Sequence, residues 1–269
     1  MNETKKTALI TGGGAGIGLE IAKLLAPLGH SLLLVGRDAN RLKAAADELR
    51  AAHNVEVHIY SIDLSEPSAA RRLCDHTQQQ GLDVQILINN AGFGIVDAHI
   101  DIDPMKLFRM LQLNVVAVAE LCQHYGRIMK EKRTGRILNI ASTAAFQPTP
   151  YFAAYGASKA FVLNFSEALA KEMEDFGVSV GCLAPGPTDT DFFDTFDKRD
   201  RNGRHLFQKK SRADPRVVAR AGVELMLSGG LTCIVGAKNK FMTLGNRFVP
   251  RSVVATISKR LLRPVDRYP

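Results

Sequence analysis

Thr7-Ala8-Leu9-Ile10-Thr11-Gly12-Gly13-Gly14-Ala15-Gly16-Ile17-Gly18 is an apolar run followed by a glycine-rich turn, and a helical apolar pattern continues from it to about residue 28. Glycines permit a tight turn and a close approach of backbone to a pyrophosphate. A helix N-terminus adds amide donors and the positive end of a dipole. Strand, turn and helix in this order point to dinucleotide binding, with Gly12, Gly14, Gly16, Ile17 and Gly18 at the cofactor. The spacing is G-x-x-x-G-x-G, which differs from the G-x-G-x-x-G of the general fingerprint.

Outward from this stretch, short apolar runs alternate with longer helical patterns to the end of the chain. Residues 7–10, 31–35, 55–60, 84–88, 136–140, 178–183 and 232–235 read as strands, apolar on both faces as buried parallel strands are. Helical patterns lie near 16–28, 39–52, 66–80, 104–131, 155–176 and 214–228. Such alternation predicts βαβ units. The fold class is α/β: a single doubly wound Rossmann-type domain over residues 1–269, with a mostly parallel seven-stranded sheet and helices on both faces. Residues 186–213 break the rhythm with a long connection leaving the C-terminal end of the sixth strand. Open α/β sheets bind ligands at that end, and a long loop there is expected to be a substrate lid.

Composition narrows the class. Hydrophobic residues make up 46% of the 269, enough for a substantial core. There is no uncharged apolar run of transmembrane length, and the N-terminal residues lack a secretory h-region. Cys74, Cys122, Cys182 and Cys233 are scattered with no C-x-x-C pair, so neither disulfides nor a metal site is expected and a cytoplasmic location fits. The net charge of +8 is local: residues 198–212 hold seven Lys/Arg against one Asp, and residues 251–267 hold five against one. Two basic patches are not a nucleic-acid-binding surface, and no nucleic-acid partner is expected.

The second strand ends Leu34-Val35-Gly36-Arg37-Asp38. NAD-selective sites place an acid here for the ribose 2′-hydroxyl. Gly36 leaves that place empty, and Arg37 can pair with a 2′-phosphate, with Arg41 one helical turn on. NADP(H) is therefore favoured over NAD(H). Asp38 reads as a helix N-cap, which is compatible with that role for Arg37.

Further along stand Tyr155-Gly156-Ala157-Ser158-Lys159 and, upstream, Ser142. Tyrosine and lysine titrate near 10 and 10.4 when unperturbed. At i,i+4 on a helix they share a face, and a protonated lysine lowers the phenol pKa towards use as an acid or base. The Ser142 hydroxyl is suited to orient a substrate oxygen.

Together with Asn89-Asn90-Ala91-Gly92, Asn114 and Pro185-Gly186-Pro187-Thr188-Asp189-Thr190, these motifs make the chain resemble the short-chain dehydrogenase/reductase family in its single-domain form. The match in order and separation covers residues 5 to about 190. The resemblance implies that Tyr155 is the catalytic acid/base, that Lys159 lowers its pKa and grips the nicotinamide ribose, and that Ser142 polarises the substrate carbonyl. It implies that Asn114 holds a water relaying protons from Lys159. It puts Asp63 and Leu64 at the adenine, Asn90 and Gly92 along the middle of the cofactor, and Pro185, Gly186, Thr188 and Thr190 at the nicotinamide. Read as residues alone, Asn114 could instead bridge backbone groups and Asp63 cap a helix. Many NADP-dependent relatives carry a basic residue where this chain has Ala15, so the cofactor choice leans on Arg37. The implied reaction is hydride transfer between NADPH and a carbonyl or secondary alcohol, in the reductive direction. The alternative is a non-catalytic NADP(H)-binding regulator of the same fold, which would have no need of the Ser142/Tyr155/Lys159 set.

Phe93, Phe146, Tyr151, Phe152, Phe192, Phe193 and Phe196 are the candidate substrate wall, although several could simply pack the lid. The basic residues after them would receive an anionic group on an apolar substrate, or belong to a solvated loop. Residues 250–263 read as an amphipathic helix with Val253, Val254, Ile257, Leu261 and Leu262 at helical spacing among Arg251, Lys259, Arg260 and Arg263. Such a helix docks on its own domain or a partner subunit, the favoured reading, or makes weak contact with an anionic membrane surface. A homodimer or homotetramer built on helices 104–131 and 155–176 is expected from the resemblance.

Overall fold

The computed structural model describes residues 6–192 and 212–263. Seven strands form one sheet in the order β3-β2-β1-β4-β5-β6-β7. They are β1 Thr7–Thr11, β2 Ser31–Gly36, β3 Val57–Ser61, β4 Val84–Asn89, β5 Gly135–Ile140, β6 Val178–Ala184 and β7 Thr232–Ile234. Every pairing is parallel. The strand order reverses between β1 and β4, which opens a crevice at their C-terminal ends.

Both faces of the sheet are covered. Successive side chains of a strand point to opposite faces. Ala8, Ile10, Leu32, Leu34 and Ile88 pack on one side against α1 Gly16–Leu25, α2 Ala39–His53 and α7 Pro215–Ser228. Leu9, Leu33, Val35, Leu87 and Ile137 pack on the other against α3 Ala69–Gln79, α5 Ala117–Lys132 and the end of α6 Ala153–Met173. All five residues of β1 are buried. Each large aliphatic side chain so buried contributes about 1.5–3 kcal/mol. A polar residue within the run would forfeit that contribution, which is why the central strands β1 and β2 show no polar alternation, whereas the edge strand β3 is buried only at Val57.

Side-chain caps set the starts of three α-helices among the described residues. Asp38 caps α2, its carboxylate accepting from the Asn40 and Arg41 amides. Asp103 with Pro104 starts α4 Pro104–Leu111, and Asp214 with Pro215 starts α7. Helix α1 is one of the uncapped ones: Ala15 at its N-cap offers no side-chain bond, no acid lies in its first turn, and its start faces the crevice. Its leading amides are left for something else.

The single helix expected over 104–131 is divided. Helix α4 passes into a π-helical turn, Gln112–Val116, before α5. The cause lies in Asn114, whose side chain accepts from the Phe93 amide at 3.2 Å and donates to the Phe93 carbonyl at 2.9 Å. That hook fixes the loop after β4, and the helix takes an extra residue to reach it. A helix absent from the sequence reading, α8 Ala237–Gly245, precedes the expected amphipathic helix, α9 Arg251–Leu262. Among the described residues, no helix is long and apolar enough to cross a membrane.

Candidate active site

A cavity of about 530 Å³ runs along the C-terminal ends of the strands. Gly12, Ala15, Gly16 and Ile17 of the first turn line one part of it, with Arg37, Asp63 and Leu64 nearby; Ser142, Tyr155 and Lys159 line another. Asn90, Gly92, Pro185, Gly186, Thr188 and Thr190 also face this space.

The turn is built so that only glycine fits at its critical points. Gly12 and Gly16 adopt φ of +66° and +55°, in the left-handed region. A Cβ on Gly18 would stand 2.3 Å from the Gly12 carbonyl oxygen. Gly18 therefore shapes the turn, and neither it nor Gly14 lines the cavity. The Thr11 hydroxyl donates to the Ile88 carbonyl and accepts from the Asn90 and Ala91 amides at 3.0 Å each. The Asn90 side chain donates back to the Thr11 carbonyl. These bonds lace the first turn to the loop after β4. The tight glycine cradle and the uncapped start of α1, both on the cavity, fit the phosphates of a dinucleotide.

At the next corner Arg37 and Arg41 line the cavity. Arg41 is paired with Asp38 at 3.5 Å and with Asp191. The Asp63 carboxylate accepts from the Ser65 amide and hydroxyl at 2.9 and 2.7 Å. It thus organises its own turn while also lining the cavity.

At the far end Tyr155 is buried on α6, stacked by Phe152 at 4.1 Å between ring centroids and flanked by Phe192 at 5.5 Å. Phe93, Phe152 and Phe192 line the cavity as expected. Phe146 does not. The short 3-10 turn Thr143–Phe146 carries it against the core group of Ala141, Val162, Leu163 and Cys182, so its place in the candidate substrate wall is corrected to a packing one. Phe193, Phe196 and most of the expected lid lie outside the described residues.

The electrostatics of the pair differ from expectation. Burial pushes the Tyr155 phenol up to about 12, and the Ser142 hydroxyl acts in the opposite direction without prevailing. Burial also drives Lys159 down to about 8. The Lys159 ammonium donates to the Ile140 carbonyl at 2.8 Å and lies 5.9 Å from the Tyr155 ring centroid. The ammonium is held at the end of β5 while lying over the Tyr155 ring, and burial of the phenol outweighs the expected lowering of its pKa. Asn114, buried behind Gly92, also donates to Ser158 at 3.1 Å. A Cβ on Gly92 would meet Asn114 Oδ1 at 3.0 Å and Lys159 Nζ at 3.4 Å, so these two polar groups converge on one glycine. Asn114 thus does bridge backbone groups, and it does so beside the lysine.

The sequence reading missed the C-terminal wall. Asn239 and Met242 of α8 and Ser258, Leu261 and Leu262 of α9 line the cavity. Asn239 lies against Gly186, where an added Cβ would come within 2.4 Å of its amide nitrogen. The left-handed Gly236 ahead of a polar-apolar stretch was the available signal for α8.

Comparison with known proteins gives a consistent answer. The family model for short chain dehydrogenase matches residues 6–201. The uncharacterized oxidoreductase YvaG of Bacillus subtilis (strain 168) is 32% identical over 215 residues, spanning 79% of this chain and 80% of that one. A structure described as giving insight into 7beta-hydroxysteroid dehydrogenase stereoselectivity superposes with a TM-score of 0.84 at 26% identity, covering 94% of this chain and 96% of the other. A short-chain dehydrogenase from Sphingobium yanoikuyae in complex with NADPH matches at 0.77 and 28% identity, over 98% and 100% of the two chains. The chain belongs to the short-chain dehydrogenase/reductase family and is an oxidoreductase acting between alcohol and carbonyl.

Proposed function

We propose that this enzyme uses NADPH to reduce a carbonyl group on a largely apolar substrate, with Tyr155 as the proton donor. The observation that carries the reading is one continuous cavity. It joins the uncapped α1 start and Arg37 to a buried Tyr155 beside Ser142.

When bound, the nicotinamide supplies the hydride. Ser142 donates a hydrogen bond to the substrate oxygen, and Tyr155 gives its proton to that oxygen as negative charge develops. A phenol held near 12 keeps its proton throughout the neutral range, which suits a donor. Lys159, at the same wall, steadies the phenolate left behind and holds the ribose hydroxyls. Reprotonation of Tyr155 runs through Lys159 and a water kept by Asn114. Asp63 and Leu64 hold the adenine, and Arg37 takes the 2′-phosphate. Support for an apolar substrate comes from Phe93, Phe152 and Phe192 around the phenol, with Met242 on the same cavity, and from the hydroxysteroid dehydrogenase named in the description of the similar structure. Four free cysteines are in keeping with a cytoplasmic enzyme.

The same reading includes a homo-oligomer. Met105 and Phe108 of α4, Val116 just before α5 and Phe161 of α6 stand exposed on the helices expected to pair, and sedimentation velocity tests this directly. The reaction itself is tested by following NADPH and NADH oxidation side by side over soluble ketones of increasing apolar bulk. NADPH turnover that rises with apolar bulk is expected. Equal use of NADH, or no turnover of any carbonyl, would overturn the proposal.

A further inference from the structure

The C-terminal helices carry a surface that hydride transfer does not use. Residues 225–265 contain seven Lys/Arg and no Asp or Glu. Lys238, Lys240 and Arg247 lie on and just after α8, and Arg251, Lys259, Arg260 and Arg263 on and at the end of α9; all are exposed. Among the described residues none of the seven is ion-paired; elsewhere the picture is mixed, with Lys23, Lys132 and Arg216 holding carboxylate partners and Arg71, Arg109 and Arg127 holding none.

Large apolar side chains stand among these charges. Phe241 and Phe248 are 80% and 81% exposed, with Leu244 between them at helical spacing. On α9, Val253, Ile257 and Leu261 recur every fourth residue and are each about half exposed. The adjacent row, Val254 and Ser258, is buried. Helix α9 thus packs on its own domain with one row only. Two nearly bare phenylalanines are costly in water unless they mark a contact surface.

We propose that the α8–α9 surface docks on an anionic lipid bilayer. Unpaired cations attract acidic headgroups while Phe241, Phe248 and the outer row of α9 enter the boundary between headgroup and acyl chain. Charge decides the occupant. A second copy would set seven unpaired cations against seven more, and a neutral surface would leave all of them without a counterpart. The same helices supply Met242, Leu261 and Leu262 to the cavity, so docking sets this cavity wall beside the lipid. Delivery of a bilayer-dissolved carbonyl compound follows from that, and this one consequence rests on the proposed reaction. The docking does not, and its test needs no cofactor.

The test is co-sedimentation of the full chain with vesicles of phosphatidylcholine alone or with about one-third phosphatidylglycerol, at low and high salt. We expect binding to the anionic vesicles at least about tenfold stronger than to neutral ones, and weakened by salt. In Lys259→Glu/Arg260→Glu it should fall at least about fivefold for each cation removed. In Phe241→Ser/Phe248→Ser it should be lost. Neither pair lines the cavity, so turnover of a soluble ketone and the melting temperature serve as folding controls. Wild-type protein that stays in the supernatant would overturn the proposal. So would binding unchanged in both folded double variants, or a dimer dissociated by the phenylalanine variant with no vesicle binding in the wild type.

Discussion

The β1–β4 half of the cavity and the α8–α9 wall recognise their ligands by opposite means. The first works with backbone: three glycines whose Cβ atoms have no room or the wrong φ, an uncapped helix start, and a Thr11–Asn90 lacing that locks the turn. The second works with side chains: Asn239, Met242, Leu261 and Leu262 contribute shape and apolar area from helices with little buried surface. Backbone recognition constrains residue type at fixed spacing and leaves a motif. Side-chain recognition tolerates many residues and leaves none. The first half should therefore fail sharply when altered, and the second should change substrate choice gradually.

The largest effect is expected where the two halves meet. Tyr155→Phe keeps the ring that stacks on Phe152 and removes only the hydroxyl. Turnover should fall by at least about 10²–10⁴-fold, with NADPH affinity by fluorescence titration unchanged. Retained turnover would remove Tyr155 from the chemistry. Gly18→Ala comes next. Its Cβ would stand 2.3 Å from the Gly12 carbonyl, a clash with backbone that no rotamer relieves. The fold should lose about 2–3 kcal/mol in denaturant titration and NADPH binding should weaken with it. By contrast, Met242→Ala should shift KM among ketones by only about tenfold and leave the cofactor dissociation constant unaltered. If the two substitutions acted alike, the contrast between the halves would be wrong.

The pH dependence separates two groups within the site. Tyr155, near 12, stays protonated across the working range, so it sets no limb for reduction below that pH. Lys159, lowered to about 8, is a cation below that pH and neutral above it. Steadying the phenolate needs the cation. Reduction should therefore hold level on the acid side of pH 8 and decline as pH rises through it. Lys159→Arg, which does not titrate in this range, should be slower overall but lose the alkaline limb. A limb that persists in this variant would assign it to another group.

What the sequence made legible follows the same division. The strands were readable within two residues: burial on both faces leaves no polar alternation in β1 and β2, and the less buried edge strands β3 and β7 were legible from their place in the strand-helix rhythm. Ser142, Tyr155 and Lys159 were readable because their spacing is itself the motif, and they do meet at one cavity. Helix α8 was not, because Thr243 is its only buried residue and its apolar side chains at helical spacing, Phe241 and Leu244, face solvent instead of a core. The side taken by Phe146 was hidden because it depends on one 3-10 turn after β5. The direction of the Tyr155 shift was hidden too. Spacing puts a lysine on the same helical face as the phenol, but the burial of the phenol that outweighs it depends on the fold.

The smallest predicted effect probes the corner between the two regimes, where side chains select the cofactor that the backbone holds. Arg41 lies beside Arg37 on the cavity, yet it is already paired with Asp38 and Asp191. A 2′-phosphate must compete with these carboxylates for the guanidinium and also meets their negative charge. Asp191→Asn removes one competitor and leaves the cap supplied by Asp38 to α2 intact. Both Arg41 and Asp191 are more than half exposed, at 57% and 58%, so solvent screens most of the pairing energy. A pair of that kind is worth about 0.2–1 kcal/mol. The dissociation constant for NADPH should accordingly fall by about 1.4- to fivefold, with that for NADH unchanged because it carries no phosphate there. Equal tightening of both cofactors would mean that Asp191 acts through loop order, and that Arg41 is no part of the phosphate seat.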